Sequence, residues 1–256
     1  MLKKVEAVVL KTIDYGETNK VITLYTKEAG KVAVIAKGAK KPSSRFSAIT
    51  QPFVYGTFLY YQGQGLGSLS QGEAIASFKL LQSDVLVSAY ASYIVELVEK
   101  LTEEKKVYMF LFDWLVLSLR QLNDGIDPEV LARIMDMKML TIAGAKPELD
   151  CCASCKSTER DPVAFSISFA GFLCTRCRAE DERAYPVSLQ LAKLLRLFYY
   201  VEIQRLGRIS VKPETKNKVK TIIHHYYDDY VGVQLKTRRF LEQIEKLDAN
   251  AFRLDK

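Results

Sequence analysis

Residues 3–38, KKVEAVVLKTIDYGETNKVITLYTKEAGKVAVIAKG, contain three short runs in which Val, Ile, Thr and Tyr recur close to every second position. β-Branched and aromatic residues at that period are typical of half-buried β-strands. The polar stretch 15–19, YGETN, separates the first two runs, and 28–31, EAGK, indicates a tight turn between the second and the third. This region therefore predicts three successive β-strands.

Two more strand-like runs follow a polar loop, namely 51–62, QPFVYGTFLYYQ, and 68–78, SLSQGEAIASF. The glycine-rich stretch GQGLG lies between them, so it is interpreted as a turn rather than as a dinucleotide-binding loop. Five short strands within about 80 residues favour a small barrel, and the five-stranded Greek-key OB-fold is the simplest architecture of that kind. We expect a nucleic-acid-binding OB-fold domain over residues 1–80.

Helical spacing of apolar residues begins near the capping pair Ser83-Asp84 and predicts helices over 83–102, 107–123 and 127–144. Asp127 and Pro128 mark the start of the third helix and Gly144 its end. Further helical patterns occupy 188–206, 212–232 and 236–247. The fold class is therefore α+β and multidomain, and the predicted divisions after the barrel are a first helical part at 81–148, a zinc-binding insert at 149–182, a second helical part at 183–248 and a tail at 249–256.

All five cysteines of the chain lie in the stretch 151–177, CCASCKSTERDPVAFSISFAGFLCTRC. Cys152-x-x-Cys155 is followed after eighteen residues by Cys174-x-x-Cys177, a spacing that predicts a four-cysteine Zn²⁺ site. Four thiolates close the tetrahedral shell, so the predicted zinc is structural. Cys151 is left out of the shell because Cys151-x-x-x-Cys155 is the poorer metal-binding turn. Buried thiols without a metal, or a redox-active pair, are the alternatives.

The positive charge of the chain is unevenly distributed. The net charge is +7 and the isoelectric point is about 9.0, which favours polyanionic partners. No acidic residue occurs between Glu28 and Glu73. Lysine and arginine side chains in such a region suit contacts with phosphates. A solvated loop is the alternative. The predicted nucleic-acid-binding residues are Lys31, Lys37, Lys40, Lys41 and Arg45.

Aromatic residues interleave with these cations, and OB-type barrels bind single strands through a basic groove with stacking aromatics. Alternate residues of 53–61 must face the interior, so only part of the set is free to stack. The sequence does not separate the stacking residues from the core residues among Tyr15, Tyr25, Phe46, Phe53, Tyr55, Tyr60 and Tyr61.

A second basic stretch covers 205–220, where Glu214 is the only acidic residue. It predicts a binding site for an acidic peptide, or an extension of the nucleic-acid path, and a solvated helix face is the alternative. The residues predicted to contact a partner are Arg205, Arg208 and Lys212.

Motifs of several enzyme classes are missing from the sequence, among them the P-loop, G-x-S-x-G and H-E-x-x-H. His224 and His225 are adjacent on one predicted helix and point about 100° apart, so they cannot chelate one ion together. We expect no enzymatic activity. No signal peptide and no membrane-spanning run is visible, which predicts a cytoplasmic protein.

Several of these stretches together resemble the bacterial RecO family. The resemblance rests on residues 5–41, VEAVVLKTIDYGETNKVITLYTKEAGKVAVIAKGAKK, on the loop that ends in QPF, on KPELDCCASC and on GFLCTRC, and it covers the whole chain in the same order. It implies an N-terminal OB-fold, a helical domain and an inserted zinc module. The implied zinc ligands are Cys152, Cys155, Cys174 and Cys177, and the implied basic loop carries Lys37, Lys40, Lys41 and Arg45.

The same resemblance implies a role in DNA repair. RecO-like proteins bind single- and double-stranded DNA, anneal complementary strands and help to load the recombinase RecA, which places them at the nucleoid. The implied partners are RecR and the C-terminal tail of single-stranded DNA-binding protein. Two other classes stay open at this point. A zinc-containing adaptor would act through protein contacts without binding DNA, and a zinc-dependent nucleic-acid enzyme would need a carboxylate cluster or a nucleophilic lysine motif.

Overall fold

The computed structural model describes residues 1–63, 65–207 and 209–244, and the chain divides into two compact units. One unit comprises Met1–Gly125 and the segment from Leu235, and the other comprises Ile126–Gln234. The division falls inside the helical part expected at 81–148, so the first helices of that part belong with the barrel. Within the described ranges no helix combines the length and the apolar character that a membrane crossing requires.

The first unit begins with a closed five-stranded barrel, which confirms the predicted OB-like fold. Its strands are β1 (Leu2–Tyr15), β2 (Asn19–Thr26), β3 (Gly30–Ala36), β4 (Tyr55–Tyr61) and β5 (Gly67–Ala76), in the order β1-β2-β3-β5-β4. The β3–β5 contact is parallel and the other four are antiparallel.

Strand β1 pairs with β4 through its first part and with β2 through its second part. The register shifts between Val9 and Lys11, and such a bulge bends a strand and changes the direction of the side chains that follow. Because one long strand serves two neighbours, the end of β1 projects as a hairpin with β2.

The described interior of the barrel is filled by alternate residues of the strands and by four residues of the long connection between β3 and β4. Ala39, Phe46, Ile49 and Val54 of this connection are buried in the barrel core. The polar loop predicted from the sequence is therefore anchored, with its apolar residues inward and its cations outward. The remaining described members of this core are Val5, Ala7, Val9, Ile22, Leu24, Val32, Val34, Ala36, Phe58, Tyr60 and Leu69.

Three helices follow the barrel, namely α1 (Lys79–Ser83), α2 (Val85–Leu101) and α3 (Leu111–Asn123). Asp84 caps α2 as predicted, since its carboxylate accepts the backbone N–H of Val87 at 2.9 Å. The prediction that the next helix begins at 107 is wrong by four residues. Phe110 has a φ of 66°, and a left-handed residue cannot continue a right-handed helix.

The segment from Leu235 returns to the same unit, where 236–244 is helical. Glu96 of α2 caps this helix: its carboxylate accepts the backbone N–H groups of Lys236 and Thr237 at 3.1 and 2.9 Å and the hydroxyl of Thr237 at 2.6 Å. The first turn of the helix therefore depends on a side chain that lies 140 residues earlier in the chain.

The second unit contains α4 (Pro128–Ile142), β6 (Pro162–Ser166), β7 (Gly171–Cys174), β8 (Tyr185–Pro186), α5 (Leu189–Tyr200) and α6 (Pro213–Tyr230). Asp127 caps α4 and Pro128 occupies its first turn, as predicted. The three strands form a small antiparallel sheet in the order β7-β6-β8, and Cys174 is the last residue of β7.

Candidate metal centre and nucleic-acid interface

Both Cys-x-x-Cys pairs form tight turns. In the first turn the carbonyl of Cys152 accepts the N–H of Lys156 at 2.9 Å, and Lys156 takes a left-handed φ of 57°. The second turn starts at Cys174, the last residue of β7, and the N–H of Cys177 donates to the carbonyl of Cys174 at 3.1 Å. Each turn brings two thiols to one side of the backbone, which is the arrangement that two-turn metal sites use.

The four sulfurs of these turns, from Cys152, Cys155, Cys174 and Cys177, all lie within 4.8 Å of one another. The Sγ atoms of Cys155 and Cys174 are 3.8 Å apart. A tetrahedron with Zn–S bonds of about 2.3 Å has S–S edges of about 3.8 Å. The donor set and its spacing therefore fit a tetrahedral thiolate-bound ion.

Cys151, the fifth cysteine, does not belong to this group. Burial, followed by a hydrogen bond with Glu148, raises the pKa of its thiol. A carboxylate neighbour disfavours the thiolate that a metal requires. The structure thus separates two adjacent cysteines that the sequence distinguishes only by spacing.

The electrostatics differ between the two turns. Burial, the largest influence on Cys152, opposes ionisation of its thiol, but backbone N–H groups led by that of Cys174 outweigh it and lower the pKa to about 6. The N–H of Cys174 lies 3.4 Å from the Cys152 sulfur. At Cys177 a hydrogen bond from Ser154 favours the thiolate, yet burial together with hydrogen bonds to Glu180 and the neighbouring thiols raises the pKa to about 12.

Residues 149–186, which contain both cysteine turns and strands β6 to β8, form the cysteine module, and the cluster around its cysteines is small. The buried cluster around its cysteines consists of Cys152, Ala164, Leu173, Cys174, Cys177 and Ala184. Gly171 lets the backbone of Glu148 approach closely, because a Cβ at position 171 would lie 2.3 Å from the carbonyl oxygen of Glu148. Sulfur atoms thus form a large share of the material that holds these turns together.

The basic loop lies at one end of the barrel, where Lys37, Lys40, Lys41 and Arg45 are all exposed. The guanidinium of Arg45 lies 4.9 Å from the centre of the Phe46 ring and donates to the carbonyl of Ser70 at 3.0 Å. Lys40 forms an ion pair of 3.0 Å with Asp14 of the β1–β2 hairpin. Four of the five predicted cations therefore occupy one exposed loop.

Lys31, the fifth predicted cation, is in a different environment. Its ammonium group donates to the carbonyls of Glu99 and Thr102 at 2.6 and 2.5 Å. These carbonyls belong to the end of α2, where a cation also meets the negative end of the helix dipole. The charge of Lys31 thus holds β3 to α2, and we do not include it in the proposed phosphate-binding set.

The second basic stretch is partly neutralised by acidic residues that lie outside the stretch 205–220. Lys216 pairs with Asp127 and with Glu129, the latter at 3.6 Å. Arg205 forms an exposed ion pair of 2.9 Å with Glu202. Lys212 is exposed and directly precedes α6. Arg208 lies outside the described residues.

Exposure divides the seven aromatic residues that the sequence could not separate, all of which lie in the described part of the chain. Tyr25, Phe46, Phe53, Tyr55 and Tyr60 are buried, whereas Tyr15 is 54% exposed and Tyr61 is 55% exposed. Tyr15 ends β1 at the hairpin, and Tyr61 pairs with Leu2 at the other end of the same strand. Only these two aromatics of the set can present a ring face to a base.

Two family profiles together match nearly all of the sequence. Residues 1–78 match "Recombination protein O N terminal", and residues 82–239 match "Recombination protein O C terminal". The boundary between the matches follows the end of the barrel.

Full-length relatives agree with these profiles. The chain is 64% identical over 256 residues to a DNA repair protein RecO of Shouchella clausii, a match that covers all of both chains. It is 52% identical over 247 residues to the protein of that name from Halalkalibacterium halodurans, covering 96% of this chain and 97% of the relative. The corresponding Bacillus subtilis protein is 50% identical over 247 residues, with 96% of each chain covered.

Proposed function

This chain belongs to the RecO family of DNA repair proteins, and from that premise we propose that it is a non-enzymatic recombination mediator. In this proposal it binds single- and double-stranded DNA, anneals complementary strands and helps to load RecA onto single strands. The observation that carries the proposal is the exposed loop with Lys37, Lys40, Lys41 and Arg45 at one end of an OB-like barrel.

The loop suits annealing for an electrostatic reason. Two complementary strands repel each other through their phosphates, and cations that neutralise both backbones lower this repulsion without reading bases. Pairing is then downhill, so the activity requires no nucleotide hydrolysis. Since Ala39 and Phe46 anchor the same loop in the barrel core, the cations are held at the surface in a defined region.

We further propose that Cys152, Cys155, Cys174 and Cys177 hold a structural Zn²⁺. Bound zinc would crosslink the two turns and keep all four thiols ionised. In the cluster, the amide of Cys174 already donates to the Cys152 sulfur, so part of the thiolate charge is balanced by the backbone. The role proposed for these residues is to hold β7 and the first turn together.

The proposed partners are RecR and the C-terminal tail of single-stranded DNA-binding protein, at the nucleoid in the cytoplasm. An acidic tail suits a site with Arg205, Arg208 and Lys212. Peptide titration tests this assignment: charge reversal at Arg205, Arg208 and Lys212 is expected to weaken binding of an acidic, hydrophobic-tipped peptide, and affinity equal to that of the unchanged protein would refute it.

Strand annealing without nucleotide, measured across a salt series, tests the main proposal. The unchanged protein is expected to anneal, with activity that falls steeply as salt rises. Replacing Lys37, Lys40, Lys41 and Arg45 with Ala is expected to reduce both annealing and the slope of log affinity against log salt. A protein that neither binds nor anneals DNA at low salt would support the adaptor alternative.

A control variant with the same change in net charge separates the loop from bulk electrostatics. The residues for it are exposed lysines outside the loop, namely Lys27, Lys79, Lys100 and Lys193. This variant is expected to anneal almost as well as the unchanged protein. Equal losses in the two variants would show that overall charge, rather than the loop, determines binding. Circular dichroism and thermal melting establish that both variants are folded.

A further inference from the structure

We propose that Tyr15 is a base-stacking residue for single-stranded nucleic acid, on a surface formed by the outward face of β1, β2 and β3 beside the basic loop. This inference rests on the proposed DNA-binding function and deepens it. It assigns the position of the bases, whereas the lysines of the loop account only for the phosphates.

The first observation is that the Tyr15 side chain is exposed to solvent, whereas most aromatic residues of the barrel are buried. The bulge between Val9 and Lys11 precedes the last part of β1, in which Ile13 and Tyr15 are 50% and 54% exposed. Residues two apart in a strand lie on the same face. An isoleucine and a tyrosine thus stand next to each other on one solvent-facing strip, which leaves apolar surface exposed beside the basic loop.

Strand pairing extends this strip across the sheet. Ile13 pairs with Val21, and Val21 pairs with Ile35. Val21 and Ile35 are both partly exposed, whereas Ile22 and Val34, their neighbours of opposite parity, are fully buried in the barrel. The outward face therefore presents an apolar row of three residues with Tyr15 at the hairpin end.

The basic loop is joined to the hairpin that carries Tyr15. The side-chain oxygen of Asn19, the residue opposite Tyr15, accepts the N–H of Gly38 at 2.9 Å. The N–H of Lys40 donates to the carbonyl of Thr18 at 2.9 Å, and the ammonium of Lys40 pairs with Asp14 at 3.0 Å. A ring and a group of cations are thereby held side by side by hydrogen bonds within one unit.

The combination of an exposed aromatic ring and adjacent cations favours single-stranded nucleic acid as the ligand. Exposed aromatics stack on bases of every type, and adjacent cations track the backbone, which is how sequence-tolerant single-strand binding works. Strands 2 and 3 and the loop between strands 1 and 2 are also the surface on which OB-type barrels bind oligonucleotides. In a duplex the base faces are already stacked, so the contribution of Tyr15 is specific to single strands.

The test is equilibrium binding of oligo(dT) and of a duplex of equal length to the full chain, at one salt concentration. Tyr15→Ala is expected to weaken oligo(dT) binding roughly 5- to 150-fold, the range for loss of one stacked base, and to leave duplex affinity within about twofold. Tyr15→Phe keeps the ring and is expected to retain most of the affinity. Tyr61→Ala removes an equally exposed ring at the other end of β1 and is expected to have no effect.

A spectroscopic measurement provides an independent readout. Tyr15→Trp places an indole at this position, and oligo(dT) binding is expected to quench its fluorescence, whereas duplex binding is not. The native chain contains one tryptophan, Trp114, so its own titration supplies the baseline.

The outcomes separate the two levels of the hypothesis. Failure of the unchanged protein to bind either oligonucleotide would refute the proposed function and this inference together. Normal single-strand affinity in the Tyr15→Ala variant would refute the stacking role and leave DNA binding intact. Equal losses for oligo(dT) and duplex would show that Tyr15 supports the hairpin rather than a base, which also overturns the inference.

Discussion

The five-stranded barrel and the cysteine module both need an interior that holds their loops in place, but different residues fill the two interiors. Among described residues the barrel core contains fifteen buried side chains drawn from all five strands and from the connection between β3 and β4. The cluster around the cysteines of the module contains six, of which three are cysteines, and the buried rings of Phe165 and Phe172 pack against each other outside it. The barrel can rely on burial of apolar surface, whereas the apolar cluster around the cysteines is small, and in the proposed zinc-bound form the ion would add a crosslink there.

The comparison also separates two kinds of functional residue. In the barrel, the apolar core leaves charged side chains free at the surface, where they can meet a ligand. In the module, three of the candidate metal ligands, Cys152, Cys174 and Cys177, are themselves buried core residues. We therefore expect substitutions of the cysteines to act through folding of the module and substitutions of the loop lysines to act through binding.

Metal removal is the change with the largest expected effect and tests the independence of the two regions. Zinc contributes about 10–16 kcal/mol to folding of small zinc-finger peptides, so a chelator, or Cys155→Ser with Cys174→Ser, is expected to unfold the module. Hydrogen exchange is expected to show lost protection in β6 and β7 and unchanged protection in β1 to β5. Equal loss in the barrel would contradict the comparison. Stoichiometric metal analysis of the unchanged protein checks that zinc is the ion.

Phe58→Ala is the matching perturbation of the barrel. Phe58 is fully buried, and truncation of a core phenylalanine costs about 3–5 kcal/mol. The barrel is expected to melt at a lower temperature while the zinc content stays at one ion per chain. Phe169→Ala, at a ring that is 37% exposed, provides a mild control in the second unit. Loss of zinc from the Phe58→Ala protein would show that the module depends on the barrel.

Glu96→Gln is expected to have the smallest effect, about 1 kcal/mol, because it weakens one helix cap. Burial raises the pKa of Glu96, but hydrogen bonds led by those from Thr237 and Lys236 outweigh it and lower the pKa below the ordinary value of 4.5. The carboxylate thus contributes stability that is fully present above pH 4.5 and is lost as the pH falls through the lowered value. Thermal melting from pH 7 to pH 3 should show a smaller loss in the Glu96→Gln variant than in the unchanged protein. Parallel curves would refute the capping role.

Local sequence patterns predicted much of this fold. The alternation in β1, β2 and β3, the caps at Asp84 and Asp127 and the spacing of the two Cys-x-x-Cys pairs each depend on neighbouring residues, and neighbouring residues are what a sequence displays. The sequence does not indicate the start of α3. The left-handed Phe110 interrupts the helical spacing of apolar residues, and no glycine or proline marks that position.

Long-range contacts explain what the sequence left open. The sequence groups Lys31 with the cations of the loop, but its contacts with the carbonyls of Glu99 and Thr102 place its ammonium group at a helix end. Lys216 adds to the positive charge of the stretch 205–220 in the sequence. In the structure it forms an ion pair with Asp127, which lies 89 residues earlier in the chain. Burial likewise separates Tyr15 and Tyr61 from the other five aromatics of the set, and no periodicity in the sequence indicates that separation.

The cap that Glu96 places on the 236–244 helix bears on how the protein is made. The barrel and α1 to α3 emerge from the ribosome first, but the segment that completes their unit follows about 110 residues later. At about 5–20 residues per second that interval lasts roughly 5–20 s. During this time the whole of the other unit is synthesised, and the Glu96 carboxylate does not yet have the helix that it caps. Its assembly is finished only when the last part of the chain returns to the first, so a chain truncated late in translation lacks part of the unit that was made earliest.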